Sequence, residues 1–155
     1  NLFHDVKKPL PFKDGSVNAI YSSHLIEHLT LDVAERMIKE CFRVLQPGGV
    51  VRIATPDLDR IVHNYSSTAN GNVSLMRGLW MSELASSKDP RWLSFFRRKN
   101  FHQFVFNEAF LRDLLTRVGF AAVRRCEYLD SAIDGVAEIE KEDRIKDQLC
   151  LEATR

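Results

Sequence analysis

LPFKDGSVNAIYSSHLIEHL, Leu10–Leu29, and RVLQPGGVVRIATPDL, Arg43–Leu58, are the stretches whose reading decides the fold. Each carries a β-branched, apolar run into a polar turn, and a helix is expected after each turn. In an open α/β sheet, ligands bind where the carboxyl ends of strands meet such turns. The polar groups gathered there are Ser22, Ser23, His24 and Glu27 from the first unit, with Thr55 and Asp57 from the second.

Outward from that centre, Val17–Ser22 reads as a strand covered on both faces, because its apolar character is nearly continuous. Ser23 is expected to cap a short helical turn through His28, and Thr30 to cap a longer helix. Leu31, Ala34, Ile38, Cys41 and Leu45 recur three or four apart and form its buried stripe, with Arg36, Lys39, Glu40 and Arg43 on the wet side. Pro47-Gly48-Gly49 ends that helix and Val50–Ala54 is the next strand. Thr55 before Pro56 reads as an N-cap with proline at the first helical position, so Asp57 to about Ser66 should be helical.

Upstream, Leu2–Val6 reads as a short strand, and Lys7–Ser16, with two prolines and an Asp-Gly pair, as a loop. Downstream, Val73–Phe106 is aromatic, basic and irregular, and is expected to be a helical insert or lid. Asn107 caps a helix whose Phe110, Leu111, Leu114, Leu115 and Val118 face the core, and Gly119 supplies its stop. Ala121–Leu129 is a strand, Ser131–Arg144 a polar excursion and Gln148–Thr154 a last strand. The order implies one α/β domain over residues 1–155, with a mostly parallel, Rossmann-like sheet and flanking helices.

A chain of 155 residues suits one domain with a real core. A formal net charge of +1 provides no field for nucleic acid or an acidic membrane surface. The apolar runs are too short to span a bilayer and no signal peptide opens the chain. Cys41, Cys126 and Cys150 are odd in number and widely spaced, and two of them lie in apolar patterns, which suggests reduced, buried thiols in a cytoplasmic protein. The chain starts at Asn1 rather than methionine, which suggests processing or a longer reading frame.

Two chemical motifs compete with a purely structural reading. His24-Leu25-Ile26-Glu27-His28 spells H-x-x-E-H, which on a helix would set two imidazoles on one face for zinc, with Glu27 as base. The sequence offers no obvious third ligand, and the helix would be only about one turn long, so no metal is expected and a zinc hydrolase ranks last. Trp92–Phe106 interleaves six aromatic rings with Arg97, Arg98, Lys99 and His102. Such a mix can stack bases and neutralise phosphates, but three adjacent cations favour a solvated face or a lid over a nucleic-acid surface.

Leu10-Pro11-Phe12-Lys13-Asp14-Gly15-Ser16, Tyr21-Ser22-Ser23-His24, Glu27-His28 and Arg43-Val44-Leu45-Gln46-Pro47-Gly48-Gly49 together resemble the class I S-adenosylmethionine-dependent methyltransferases of the small-molecule type. Phe106–Phe120 is similar to that family's last helix, ending in Gly-Phe, and Leu149–Arg155 to its final strand, which is antiparallel. The resemblance implies S-adenosylmethionine as cofactor and a small-molecule acceptor. It places Asp5 and Val6 at the adenine, and Ser22, Ser23 and His24 beside the sulfonium and its methyl group. The transfer needs a nucleophile aligned with the methyl carbon; if that nucleophile must lose a proton, His24 is the expected base, with His28 and His102 in reserve. Glu27, His28, Thr55, Asp57 and His102 are the expected substrate-side residues.

The family's first strands and glycine-rich turn should precede Asp5, yet the chain contains no Gly-x-Gly. The implied sheet therefore lacks the strand beside Val17–Ser22. A bare apolar edge invites pairing, so the alternative reading is a non-catalytic remnant or fragment that forms a homodimer through that edge.

Overall fold

The computed structural model describes residues 4–68, 70–72, 75 and 102–155. Its sheet is built from β1 (Val17–Ser23), β2 (Leu45–Thr55), β3 (Ala121–Arg125) and β4 (Leu149–Thr154), in the order β1-β2-β4-β3. Among the described residues it is accompanied by the helices α1 (Leu31–Val44), α2 (Leu58–Ser67) and α3 (Glu108–Val118). β1 runs parallel to β2, while β4 is antiparallel to both β2 and β3. The α/β class and the antiparallel last strand are as expected. The mostly parallel sheet is met only in part, since β1 and β2 pair in parallel and the other two described pairings are antiparallel.

The two central strands give the sheet two unlike faces. Side chains alternate across a strand, and the register sets Val51 against Ala153 and Ile53 against Leu151. These four residues pack into one core with Ala34, Met37, Ile38 and Cys41 of α1 and Leu111, Leu114 and Leu115 of α3. A fully buried side chain such as Ile38 or Leu111 stabilises by roughly 1.5–3 kcal/mol. The alternate positions carry Arg52 opposite Glu152 and Ala54 opposite Cys150. That second face is covered by the polar excursion after β3, whose Ile145 packs on Ala54, Cys126 and Cys150.

Arg52 is the hub of the second face and is fully buried. Its Nε and Nη2 donate to Glu140 at 2.7 and 3.0 Å, and its Nη1 donates to Glu152 at 3.1 Å. The carbonyls of Asp130 and Glu127 accept at 2.8 and 2.9 Å. Glu152 also accepts from Arg124, Ser131 and the Ala132 amide. One guanidinium thus fastens a turn, a short helical turn and two strands together. Sequence reading missed this network, although a charged residue inside each apolar run, VVRIAT and LCLEAT, was the available signal.

Helix signals held well where a side chain could cap or a glycine could stop. Asn107 accepts from the Phe110 amide at 3.0 Å, and Gly119 closes α3 in the left-handed region at φ 116°. Phe42 lies 3.1 Å from where a Cβ on Gly119 would stand, so a side chain there would be both strained and crowded. The buried stripe of α1 includes Met37 and Val44, which the spacing argument passed over, while Leu31 is only half-buried. Glu40 and Arg43 of its expected wet side are also half-buried, since they hold the preceding loop: Glu40 accepts from the Leu10 amide, and Arg43 donates to the Leu10 and Phe12 carbonyls.

Several boundaries differ from expectation for identifiable reasons. His4–Val6, the described part of the Leu2–Val6 strand, is not extended pairing: Asp5 folds into a turn, accepting from the Lys7 and Lys8 amides. The turn after β1 is a 3-10 turn, Ile26–His28, without a side-chain cap, and Ser23 is the last residue of β1. Thr55 ends β2, and Asp57, not Thr55, caps α2 by accepting from Asp59. β2 begins at Leu45, with a register shift opposite Val17–Ala19 that absorbs Pro47-Gly48-Gly49. At Gly49 a Cβ would meet carbonyl oxygens at 2.9 and 3.0 Å, so only glycine fits. β3 stops at Arg125 because the chain then turns to present the Glu127 and Asp130 carbonyls to Arg52. The insert expected at Val73–Phe106 lies outside the described residues except for 75 and 102–106.

All three cysteines are free and buried. Burial pushes the Cys41 and Cys150 thiols up to about 12 and raises Cys126 as well, so thiolate is scarce in the native state. Native protein is therefore expected to react with an aromatic disulfide reagent only as fast as it opens, and denatured protein to show three fast thiols. A thiol that reacts at once in native protein would contradict the packing of Ala54, Ile145 and the α1 face.

Candidate functional site

β1 and β2 are parallel, so their carboxyl ends lie side by side, with Ser23 in register with Ala54. Residues from both ends meet there. The His24 amide donates to the Ala54 carbonyl at 2.9 Å, continuing the ladder one residue past β1. His24 itself bends the chain, with φ at 51° in the left-handed region. A bulky side chain rarely adopts that conformation, and such strain concentrates at functional positions.

The bend turns the His24 ring between two acceptors. Nδ1 lies 3.1 Å from Glu27 Oε1 and Nε2 lies 3.2 Å from the Arg144 carbonyl. A carbonyl can only accept, so this arrangement assigns a proton to Nε2. Nδ1 and the Glu27 carboxyl share the ring's second hydrogen bond. Glu27 is fully buried, and its other oxygen accepts from the Thr55 hydroxyl at 3.3 Å. The backbone carbonyl of Glu27 accepts from the amides of Gln103 and Phe104 at 2.6 and 3.2 Å. That pairing brings His102 over the turn, where its ring stands edge-on to His28 with centroids 5.1 Å apart.

Ser22 and Ser23 complete the strand end. Neighbours along β1 face opposite sides. The Ser22 register with Ile53 therefore puts it on the helix-covered face, and the Ser23 register with Ala54 puts it on the other. The hydroxyl oxygens of both are buried and have no hydrogen-bond partner among the described residues. A buried hydroxyl left unpaired costs roughly 1–3 kcal/mol, so both are placed to gain from a polar ligand.

Not every expected residue joins this group. Asp57 turns toward β3: Oδ1 caps α2 and Oδ2 accepts from Arg125 at 2.8 Å. Asp5 is exposed and makes its hydrogen bonds within its own turn, while Val6 is half-buried against the core. The H-x-x-E-H spacing does not produce a helical pair of imidazoles. His24 is bent away onto Glu27 and Arg144, and only His28 stands with Glu27 and His102.

The comparisons agree with this architecture. Residues 3–53 match the sequence profile of a family described as a methyltransferase domain. Over 57 residues the chain is 48% identical to a probable S-adenosylmethionine-dependent methyltransferase of Mycolicibacterium smegmatis, covering 37% of this chain and 21% of that protein. Among solved structures, a SAM-dependent methyltransferase from Archaeoglobus fulgidus superposes with a TM-score of 0.56 at 14% identity, over 99% of this chain and 66% of that one. A possible histamine N-methyltransferase from Thermotoga maritima superposes with a TM-score of 0.53 at 20% identity, over 99% and 62%. The chain spans about a fifth of the curated relative's length and just under two thirds of these two structures. Segment 3–53 thus resembles a methyltransferase domain, and the described residues share the fold of solved S-adenosylmethionine-dependent methyltransferases.

Proposed function

We propose that the chain takes part in methyl transfer from S-adenosylmethionine to a small-molecule acceptor, at the carboxyl ends of β1 and β2. The observation that carries this reading is the pair of buried, unpartnered hydroxyls of Ser22 and Ser23 at the strand end. They suit a polar ligand lying across that end. With His24 they would line the methyl-bearing side, and Asp5 and Val6 would meet the adenine. The cofactor supplies an electrophilic methyl group. No Gly-x-Gly turn occurs in the sequence, so these residues would hold one side of the cofactor and a different segment the other.

His24 is the proposed base. To act, the ring must leave the Arg144 carbonyl and take the neutral tautomer with its one proton on Nδ1, held by Glu27, so that a bare Nε2 accepts the proton of an acceptor hydroxyl or amine. Thr55 steadies Glu27 in that role, and His28 and His102 border the acceptor. Calorimetric titration with S-adenosylmethionine, on this chain and on any longer polypeptide containing it, tests the reading. Binding is expected in at least one, and His24→Ala should lower turnover about 10²–10⁴-fold. Absence of binding in both, or unchanged turnover in His24→Ala, would remove the cofactor site or the base respectively.

A second reading rests on the sheet order, in which β1 is a terminal strand among the described residues. An unpaired edge at Val17–Ser22 would pair with a second copy of the chain, giving a homodimer without catalysis. Light scattering across a dilution series decides it: a concentration-independent monomer excludes the pairing. The three buried free thiols suit a cytoplasmic protein, and no helix among the described residues is long and apolar enough to cross a membrane.

A further inference from the structure

We propose that Glu27, His28 and His102 form a site for one divalent transition-metal ion of the zinc type. Among the described residues they are the one group of three such side chains whose candidate ligand atoms all lie within 4.8 Å of one another. The site adjoins the proposed methyl-transfer site and shares Glu27 with it, but it does not use the proposed base, and its metal uptake is read without turnover.

The ligand set fits the ion by chemistry. Two imidazoles and one carboxylate are the donors that zinc and its neighbours prefer, whereas magnesium and calcium take oxygen ligands. Three protein ligands leave a coordination position open. An ion about 2.0–2.2 Å from each donor would draw the three atoms closer than they stand now. Rotation of the two half-buried rings supplies that movement, whereas the carboxylate is fixed.

The surroundings fit as well. Glu27 is fully buried, and a buried carboxylate needs compensating charge or hydrogen bonds. Its oxygens are oriented by His24 at 3.1 Å and by the Thr55 hydroxyl at 3.3 Å. This is the arrangement of outer partners that holds a carboxylate ligand in place. Each oxygen has two lone pairs, so both can take a metal and keep these bonds. The third ligand comes from a different part of the chain, and the bonds from Gln103 and Phe104 to the Glu27 carbonyl hold it there without help from any ion. The H-x-x-E-H motif therefore contributes its last two chemical residues and not its first.

Chelator-stripped protein titrated with zinc chloride by calorimetry, and with cobalt(II) by absorption, tests the site. One ion per chain is expected, with a cobalt spectrum of nitrogen and oxygen ligation. His28→Ala and His102→Ala should each weaken binding by more than about 100-fold, beyond the cost of losing an outer partner, and Thr55→Val by about 10–100-fold. His63→Ala, an exposed histidine on α2, should leave binding unchanged. Lack of binding, or a thiolate-to-cobalt charge-transfer band implicating the cysteines, overturns the proposal. So does binding that survives in both histidine variants when circular dichroism shows them folded. If a variant fails to fold, the cobalt spectrum of the unaltered protein still decides.

Discussion

Arg52→Met is expected to cost the fold about 3–5 kcal/mol, because it removes the buried cation that Glu140 and Glu152 share beneath the polar excursion. Typical domains are stable by only about 5–15 kcal/mol, so the variant should sit near the edge of folding. The loss does not measure the worth of the ion pairs. It comes mainly from leaving the buried Glu140 carboxylate without its cation and the carbonyls of Glu127 and Asp130 without their donors, while Glu152 keeps Arg124. A triple variant, Arg52→Met with Glu140→Met and Glu152→Leu, should recover much of it, since a packed apolar cluster can replace a buried ionic one. Urea unfolding midpoints of the three proteins check both statements. A single variant as stable as the parent would show that the network is dispensable.

The same network sets an acid limit. Burial pushes the Glu152 carboxyl up, but hydrogen bonds from Ser131, Ala132 and Arg124, together with Arg52, outweigh it and hold the group below the ordinary carboxylate range. A carboxylate depressed in the folded state contributes stability above its unfolded value, and that contribution is lost as pH falls through its folded value. Unfolding free energy should therefore decline on the acid side of the carboxylate range. It should decline less steeply in Arg52→Met, where part of the contribution is already missing.

Phe106→Ala is the second large effect, also about 3–5 kcal/mol. Phe106 is fully buried, with ring centroids 4.8 Å from Phe104 and 6.1 Å from Phe110. Its backbone pairs with Asp57 and accepts from the Leu58 amide, so it joins the start of α2 to the start of α3. Truncation would leave a void walled by a strand bridge and two other rings, neither free to collapse. The accompanying expectation is functional. Loosening this anchor should also weaken zinc uptake, because residues 102–104 depend on the same segment. Phe106→Leu should lose less on both counts, and equal losses in the two variants would mean that ring packing is not what matters.

Much of this molecule could be read from residues whose local chemistry and tertiary role coincide. Asn107 and Gly119 bracket a helix whether or not anything packs on it, and Val17–Ser22 is apolar enough to be a strand in any register. Strand direction was not legible in the periodicity, since a period of two is the same for parallel and antiparallel neighbours, and the antiparallel last strand came from the resemblance alone. Leu2–Val6 reads as a strand by composition, but its aspartate finds nearer amides in a turn. Thr55 and Asp57 are both good caps two residues apart, and the β2 ladder, continuing through Thr55, decided between them. The strand-end cluster was legible as a list of names. Its arrangement was not, because the left-handed bend at His24 separates two imidazoles that a helix would have joined.

The unlike faces of β2 and β4 also guard the chain against mispairing. Slipping one strand past the other by a single residue would carry Arg52 or Glu152 into the layer beneath α1 and α3, and push an aliphatic neighbour among the carboxylates. A sheet that is oily on both sides forgives such an error at little cost. Here a shifted register would bury a bare charge, so the ion network penalises the wrong pairing of β2 with β4.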